Sequence, residues 1–208
     1  MKLVYSEKPK LRVSLNPLQE VHKNNYRIWR NNHDIYRWCR QYRKISEHEH
    51  NEWWEKLKTD KTINMFEIAH IEKNIVIGVG GLTSIDLRNR NAEFSLYLIK
   101  EWRGKGLAME ALLALIEYGF YTLGLWQIWG EVIEGNPALS LFVRLGFKVT
   151  GVRKQFYYKD GRYLDAHYIS LNANEFIAKC KELSNGSTVR DDKASGSGDT
   201  GNCTKTTI

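Results

Sequence analysis

Cysteine is scarce in this chain. Of 208 residues only Cys39, Cys180 and Cys203 are cysteines. An odd number at such wide spacing excludes a disulfide framework and a paired-cysteine zinc module, and it points to a reducing compartment. Long apolar runs are missing too. The opening MKLVYSEKPKLRV has no continuous apolar stretch of the signal-peptide kind, and nowhere do about eighteen apolar residues follow one another. The expectation is a cytoplasmic chain with no membrane partner. A metal cluster is also lacking. His48 and His50, with Cys39 nearby, come closest, but two residues apart on a helix they point about 200° apart and cannot share an ion there. No metal is expected, although either histidine could line a substrate cleft.

What the chain does have is enough apolar matter for one core. Hydrophobic residues make up 42% and aromatic residues 12%, and the length fits a single folded domain over residues 1–171. Residues 172–183 hold one short helical pattern, NEFIAKCKEL. From Ser184 on almost nothing apolar remains, and three basic charges meet three acidic ones, so residues 184–208 are expected to form a disordered tail. Lys and Arg number 31 against 24 Asp and Glu, a net charge of +7, and residues 1–60 carry 13 basic against 8 acidic side chains. That surplus suits an anionic ligand as well as nucleic acid. Tyr26, Ile28, Trp29, Ile35, Tyr36 and Trp38 are interleaved with Arg27, Arg30, Arg37 and Arg40, a mixture that could stack bases. Their helical spacing favours a core face with solvated cations, so nucleic acid is not the expected partner.

Taken in order, Leu11, Val13 and Leu15 alternate with Arg12 and Ser14 in a strand ended by Asn16-Pro17. Residues 18–40 read as one or two helices, with Leu18 and Val21 beginning their apolar face. Ser46-x-x-Glu49 is a capping box that opens a helix through about Lys58. Two β-rich runs, 63–71 and 75–84, joined by Glu72-Lys73-Asn74, read as an antiparallel hairpin. A polar turn from Arg88 to Asn91 leads into a third strand over 93–99. After a helix that opens at Leu107 come a strand over 126–133, a helix over 138–145 stopped by Gly146, and a last hairpin, 147–158 and 162–171, turning at Lys159-Asp160-Gly161.

The most informative stretch joins the third strand to the Leu107 helix: Arg103-Gly104-Lys105-Gly106-Leu107-Ala108. A helix N-terminus offers unpaired N–H groups and a partial positive charge, and glycines let a large anion approach that backbone. This pattern predicts a phosphate or pyrophosphate cradle. The dinucleotide fingerprint is excluded because Met109 stands where its third glycine belongs, and the Walker loop because Gly106 rather than Ser or Thr follows Lys105. Arg103-x-x-Gly106-x-Ala108 resembles instead the pyrophosphate-binding motif of the GNAT superfamily of acetyl-CoA-dependent N-acetyltransferases. Asn136-x-Ala138-x-Ser140 and Leu145-Gly146-Phe147 are similar to that superfamily's second motif region. Trp29-Arg30-Asn31, Ile45, His50, Trp53, Asp160-Gly161-Arg162-Tyr163 and Asp165 resemble the branch that holds the RimJ/RimL-like ribosomal-protein, spermidine and flagellin-sugar N-acetyltransferases. The likeness covers about residues 10–171.

That resemblance implies an α+β fold with a central, mostly antiparallel, splayed mixed sheet of about seven strands flanked by helices, as a monomer or homodimer. It implies acetyl-CoA as co-substrate and no metal, with pantetheine against Leu98 and Ile99, pyrophosphate on the amides of Arg103, Gly104, Lys105, Gly106, Leu107 and Ala108, and Asn136 on the pantetheine arm. Phe142 stands on the cofactor side where many relatives carry a tyrosine that protonates the departing thiolate. Phenylalanine donates no proton, which leaves Ser140, Tyr97 or solvent. A thiol with a pKa of about 8.5 is a tolerable leaving group even so.

The thioester is already reactive, so the protein must mainly hold it beside an amine and polarise its carbonyl. That amine must also lose a proton before it attacks. Glu93, on the strand before the cradle, is the first candidate base, acting through water, and Glu131 is the second; either could instead be a structural carboxylate paired with an arginine. The acceptor expected is a small-molecule or protein amine: an amino sugar nucleotide, a polyamine or a protein N-terminus. The basic 26–44 segment favours an anionic carrier. The alternative is a catalytically weak CoA-binding or nucleic-acid-binding protein of the same fold.

Overall fold

A computed structural model describes residues 10–191, with side chains through residue 182. Seven strands, β1 (Val13–Pro17), β2 (Asn64–His70), β3 (Ile75–Asp86), β4 (Asn91–Leu98), β5 (Gln127–Ile133), β6 (Lys148–Lys159) and β7 (Arg162–Asn172), form one sheet in the order β1-β2-β3-β4-β5-β7-β6. All neighbours are antiparallel except β4 and β5. This is the α+β, seven-strand mixed sheet that the sequence predicts. The last hairpin turns tightly because Asp160 and Gly161 both adopt positive φ, the backbone that a two-residue hairpin connection requires.

Among the described residues six α-helices flank the sheet: α1 (Lys23–Arg30), α2 (His33–Tyr36), α3 (Glu47–Thr59), α4 (Leu107–Glu117), α5 (Ala138–Arg144) and α6 (Ala173–Asp191). On α4 the spacing of three and four residues puts Leu107, Ala111, Leu112, Leu115 and Ile116 on the buried side, each leucine or isoleucine contributing about 1.5–3 kcal/mol of apolar burial. Helices α1 to α3 cover the opposite face. There Tyr26 stacks on Trp54 at 6.1 Å and both pack on Val79. The Tyr26 hydroxyl donates to the buried carboxylate of Glu67, which also meets His22 Nδ1 at 2.5 Å. Ser46 and Glu49 make both bonds of the expected capping box.

Two readings need correction. Val21 and Ile28, expected on the apolar face of residues 18–40, are 82% and 53% exposed: Val21 lies in a separate 3-10 turn, Glu20–His22, before α1, and Ile28 is two residues from the buried Tyr26, about 200° round α1 from it. The helical pattern at the C-terminal end is longer than its apolar residues indicate: α6 runs to Asp191, with Phe176 and Cys180 buried in the core. The rest of the expected tail, residues 192–208 with Cys203, lies outside the described residues.

His50 ties the helical layer together through a hydrogen bond of 2.8 Å from Nε2 to the Lys23 carbonyl. Burial lowers its imidazole from the ordinary value, and the charges of Arg27 and Lys23 act in the same direction against the pull of that carbonyl. The unfolded chain therefore takes up a proton near pH 6.5 that the folded chain resists. Stability from neutral His50 is full above that pH and falls as the pH drops toward the lowered folded value. We expect the urea midpoint to fall between pH 7.5 and 5.5 more steeply in the parent than in His50→Gln. Equal slopes would show that His50 does not titrate with folding.

Candidate active site

β4 and β5 pair for only three residues, from Asn91 with Gln127 to Glu93 with Trp129. Beyond that point they part. The next positions are Phe94 and Gly130, and a Cβ on Gly130 would lie 2.5 Å from Phe94 Cε1, so the ring fills the space a side chain would take. Phe94 is fixed there by Phe142 and Phe147, with ring centroids 5.0 and 5.1 Å away. A cavity of about 570 Å³ opens along the parting strands, lined on its sheet side by Glu93 to Tyr97 and by Glu131 to Ile133.

The parallel register decides which carboxylates meet there. Glu93 sits opposite Trp129, and Glu131, two residues on, points to the same face of the sheet. Arg40, from the loop between α2 and α3, reaches over that face and pairs with both. Its Nη2 donates to Glu93 Oε1, its Nη1 to Glu93 Oε2 at 3.2 Å, and its Nε to Glu131 Oε1 at 3.2 Å. Burial alone would lower the Arg40 guanidinium, but Glu93 and then Glu131 push it up. Burial alone would raise Glu131, but hydrogen bonds from Tyr157, Tyr168 and Arg40 hold it below the usual carboxylate range. Tyr157, which donates to Glu131 Oε1, is pushed up to about 12 by burial and then by that carboxylate.

Side chains elsewhere pin the Arg40 loop. Asn31 accepts from the Ile45 amide at 2.7 Å and donates to the Ile45 carbonyl at 2.8 Å. Lys159, at the end of β6, donates to the carbonyls of Tyr36 and Gln41 at 3.3 and 2.7 Å. The loop is thus held from both sides of the arginine.

At the far end of β4 the chain passes through a single 3-10 turn, Lys100–Trp102, into the glycine loop and α4. Gly104 and Gly106 both have positive φ, and Gly106 is the N-cap of α4 with no side-chain cap. Among the described residues, the N–H groups of Gly104 to Ala108 have no protein acceptor, whereas the Arg103 N–H is bound to the Lys100 carbonyl at 3.2 Å. Arg12 braces the loop: it pairs with Glu110 in the first turn of α4 and donates to the Lys105 carbonyl at 2.9 Å. Five free amides in a row on a braced helix start fit a pyrophosphate.

A family model described as an acetyltransferase (GNAT) domain matches residues 12–148. The chain belongs to the GNAT acetyltransferase family. It is 35% identical to the uncharacterized N-acetyltransferase p20 of Bacillus licheniformis over 121 residues, 58% of this chain and 68% of that protein. To spermidine N(1)-acetyltransferase of Escherichia coli K12 it is 30% identical over 105 residues, and that match spans 50% of this chain and only 56% of the enzyme. The crystal structure of spermidine N-acetyltransferase from Vibrio cholerae in complex with CoA and spermine has the same fold, with a TM-score of 0.76 at 24% identity, over 80% of this chain and 98% of that one.

The residues that the GNAT resemblance singled out fall into three places. Glu93, Glu131, Tyr97, Asn136 and Phe142 line the cavity. Asn136 accepts from the Ala138 amide at 3.0 Å through Oδ1, which leaves its Nδ2 group without a protein partner among the described residues. Tyr97 donates weakly to the Tyr26 carbonyl at 3.4 Å, and burial raises its phenol, which makes it a poorer proton donor. Arg103 to Ala108 with Leu98 and Ile99 lie together instead where β4 runs into α4. There Leu98 is 4% exposed and its carbonyl accepts from Arg103 Nε at 2.8 Å, so the Arg103 side chain closes the end of β4. Ser140 joins neither group: it is exposed, and its hydroxyl donates to the Pro137 carbonyl at 3.0 Å. Arg40 and Tyr157 were not foreseen as site residues. Their partners lie 53 and 26 positions away, and no local pattern marks such pairs. Among the described residues no three His, Cys, Asp or Glu side chains gather as a metal site, and no helix is long and apolar enough to cross a membrane.

Proposed function

We propose that the protein transfers the acetyl group of acetyl-CoA directly to a primary amine, and that it belongs to the ribosomal-protein, spermidine and flagellin-sugar acetyltransferase branch of the family. One observation carries this reading: the strand that ends at the free amides of the glycine loop also carries Glu93, at the mouth of the gap between β4 and β5. Donor and base are thereby set along one rigid strand. Acetyl-CoA supplies an activated acetyl group and a thiol leaving group. The loop amides of Gly104 to Ala108 hold its pyrophosphate, and Asn136 Nδ2 and the edge of β4 hold the pantetheine arm. Arg40 pairs with Glu93 and Glu131 and so presents a carboxylate at the place where a base must act. Glu93 takes the ammonium proton of the acceptor through water, and the freed nitrogen lone pair can then form the amide bond. Phe142 offers no proton, so the thiolate is protonated from solvent, and Phe142→Tyr is not required for turnover.

The test is thiol release from acetyl-CoA with a panel of amines. A product heavier by one acetyl group identifies the acceptor class, and no release with any amine, together with salt-sensitive RNA binding, would replace the reading with that of a nucleic-acid-binding protein. Gly106→Ala is the control for the cradle. Its φ of +80° and the 3.3 Å from a new Cβ to Arg12 Nη2 cost a non-glycine residue about 1–2 kcal/mol, which corresponds to a rise in the KM for acetyl-CoA of about tenfold. The KM for the amine should stay within about twofold. An unchanged acetyl-CoA KM would remove the cradle from the mechanism.

A further inference from the structure

Each carboxylate that lines the cavity already has an arginine. Arg40 holds Glu93 and Glu131, and Arg43 holds Glu49 at 2.5 and 2.9 Å. Arg30 is different. It lines the same cavity and is partly buried, yet its guanidinium meets no carboxylate among the described residues. It donates from Nη1 to Cys39 Sγ at 2.6 Å and lies over the Tyr97 ring at 6.0 Å. A guanidinium has five donors in a fixed fork, and a thiol sulfur is a weak acceptor for one of them. Four donors and a full charge are therefore left without a protein acceptor among the described residues, in a side chain that lines the cavity. The Tyr97 face orients the fork, and the neighbouring Asn31 fixes the end of α1 through its two bonds to Ile45.

We propose that Arg30 receives an anionic group, a carboxylate or a phosphate, carried by the same molecule that presents the amine. The acceptor is then an amine-bearing acid rather than a polyamine. This rests on the acetyltransferase reading above. A polycation entering the cavity finds its carboxylates already neutralised, and it must displace Arg40 and lie against the charge of Arg30, an arrangement that desolvates like charges together. An amine-bearing acid meets complementary charge at both ends: its anion forms a forked pair with Arg30, and its ammonium approaches the Glu93 side. Position along β4 adds a length. Four residues separate Glu93 from Tyr97, about 13 Å of strand at 3.3 Å per residue, so the fitting acid has its anion several bonds from its amine.

The experiment uses the full chain, acetyl-CoA and matched acceptors: glucosamine phosphate against glucosamine, ε-aminocaproate against its amide, alanine against alaninamide, and spermidine. The expected result is a kcat/KM at least about tenfold higher for the charged member of one of the first two pairs, which also tells phosphate from carboxylate. Arg30→Gln should remove that preference through the KM of the acceptor, Arg30→Lys should restore part of it, and the KM for acetyl-CoA should not move. Equal rates within every pair, a preference for spermidine, or a preference confined to alanine would overturn the proposal and leave the acetyltransferase reading in place. A rise in the acetyl-CoA KM in Arg30→Gln would overturn it too, by giving Arg30 to the donor. No thiol release with any acceptor would strike down both. If Arg30→Gln does not fold, the matched pairs with the parent protein decide alone.

Discussion

Replacing Arg40 by glutamine is expected to lower stability by about 1–3 kcal/mol and to move the acid limb of the activity profile upward by about one pH unit. The two effects have one cause. Arg40 is the cation between two carboxylates that are 11% and 4% exposed on the flanks of the strand opening. Its own side chain is 55% exposed, so its attraction for them is screened, and the loss sits mainly in the carboxylates it leaves behind. Without it, like charges face each other in a confined space and one of them retains a proton to higher pH. Glu131 keeps the hydroxyl of Tyr157, which stabilises its ionised form. The shared proton of the pair is then lost only at a higher pH than in the parent, and the acid limb moves with it. The stability contribution follows the same sign. In the parent, the depressed Glu131 contributes stability that is present above the ordinary glutamate value of about 4.3 and is lost as the pH falls through its lower folded value. In the variant that loss begins at higher pH. Urea unfolding across pH 4 to 8 and a pH series of kcat/KM measure both, and a variant with the parent's midpoint and the parent's profile would reduce Arg40 to a surface cation.

What could be read before the fold was known is whatever depends on neighbours in sequence. The cradle belongs to that class. Its two glycines, its cations and the helix start all lie within Arg103 to Ala108, and helix termini bind anions for reasons that need no tertiary contact. The capping box of Ser46 and Glu49 and the hairpin at Asp160-Gly161 are local in the same sense. Glu93 and Glu131 could be named as candidates from their strands, but the fact that one arginine joins them could not. Arg40 sits 53 residues from the first and 91 from the second, and nothing local sets it apart from the other arginines of its basic segment. The exposed Val21 and Ile28 mislead for the converse reason: helical spacing marks a face only within one helix, but Val21 belongs to a separate 3-10 turn, and which side of α1 is buried is decided by Tyr26, opposite Ile28, packing on Trp54 and Val79. Where β4 and β5 part, the Phe94 ring lies against Gly130 in the space a side chain would take, yet Gly130 is one of 16 glycines and nothing adjacent distinguishes it.

Glu93→Gln is expected to lower kcat/KM by about 100-fold near pH 7 and by much less above the pKa of the acceptor. An α-amine titrates near 8 and a lysine-type amine near 10.4, so at neutral pH nearly every acceptor molecule arrives as an ammonium and must lose its proton inside the site. Glutamine has the size of glutamate and retains a carbonyl oxygen for Arg40, so the cavity is preserved while proton affinity is lost. As the bulk pH rises through the acceptor's own value, the nitrogen arrives neutral and the base is no longer needed. The defect therefore shrinks with pH, and it lies in kcat while the KM for acetyl-CoA stays where it was. Glu131→Gln makes the comparison. Glu131 is held by Arg40 and by Tyr157 and lies low in its range under three hydrogen bonds, which disfavours proton uptake. Its amide variant should lose less than about tenfold, without the recovery at high pH. If the recovering defect belongs to Glu131→Gln and the flat one to Glu93→Gln, the two carboxylates exchange roles. If neither variant shows a defect that depends on pH, proton removal is left to water, and the pair serves only to hold Arg40 across the gap.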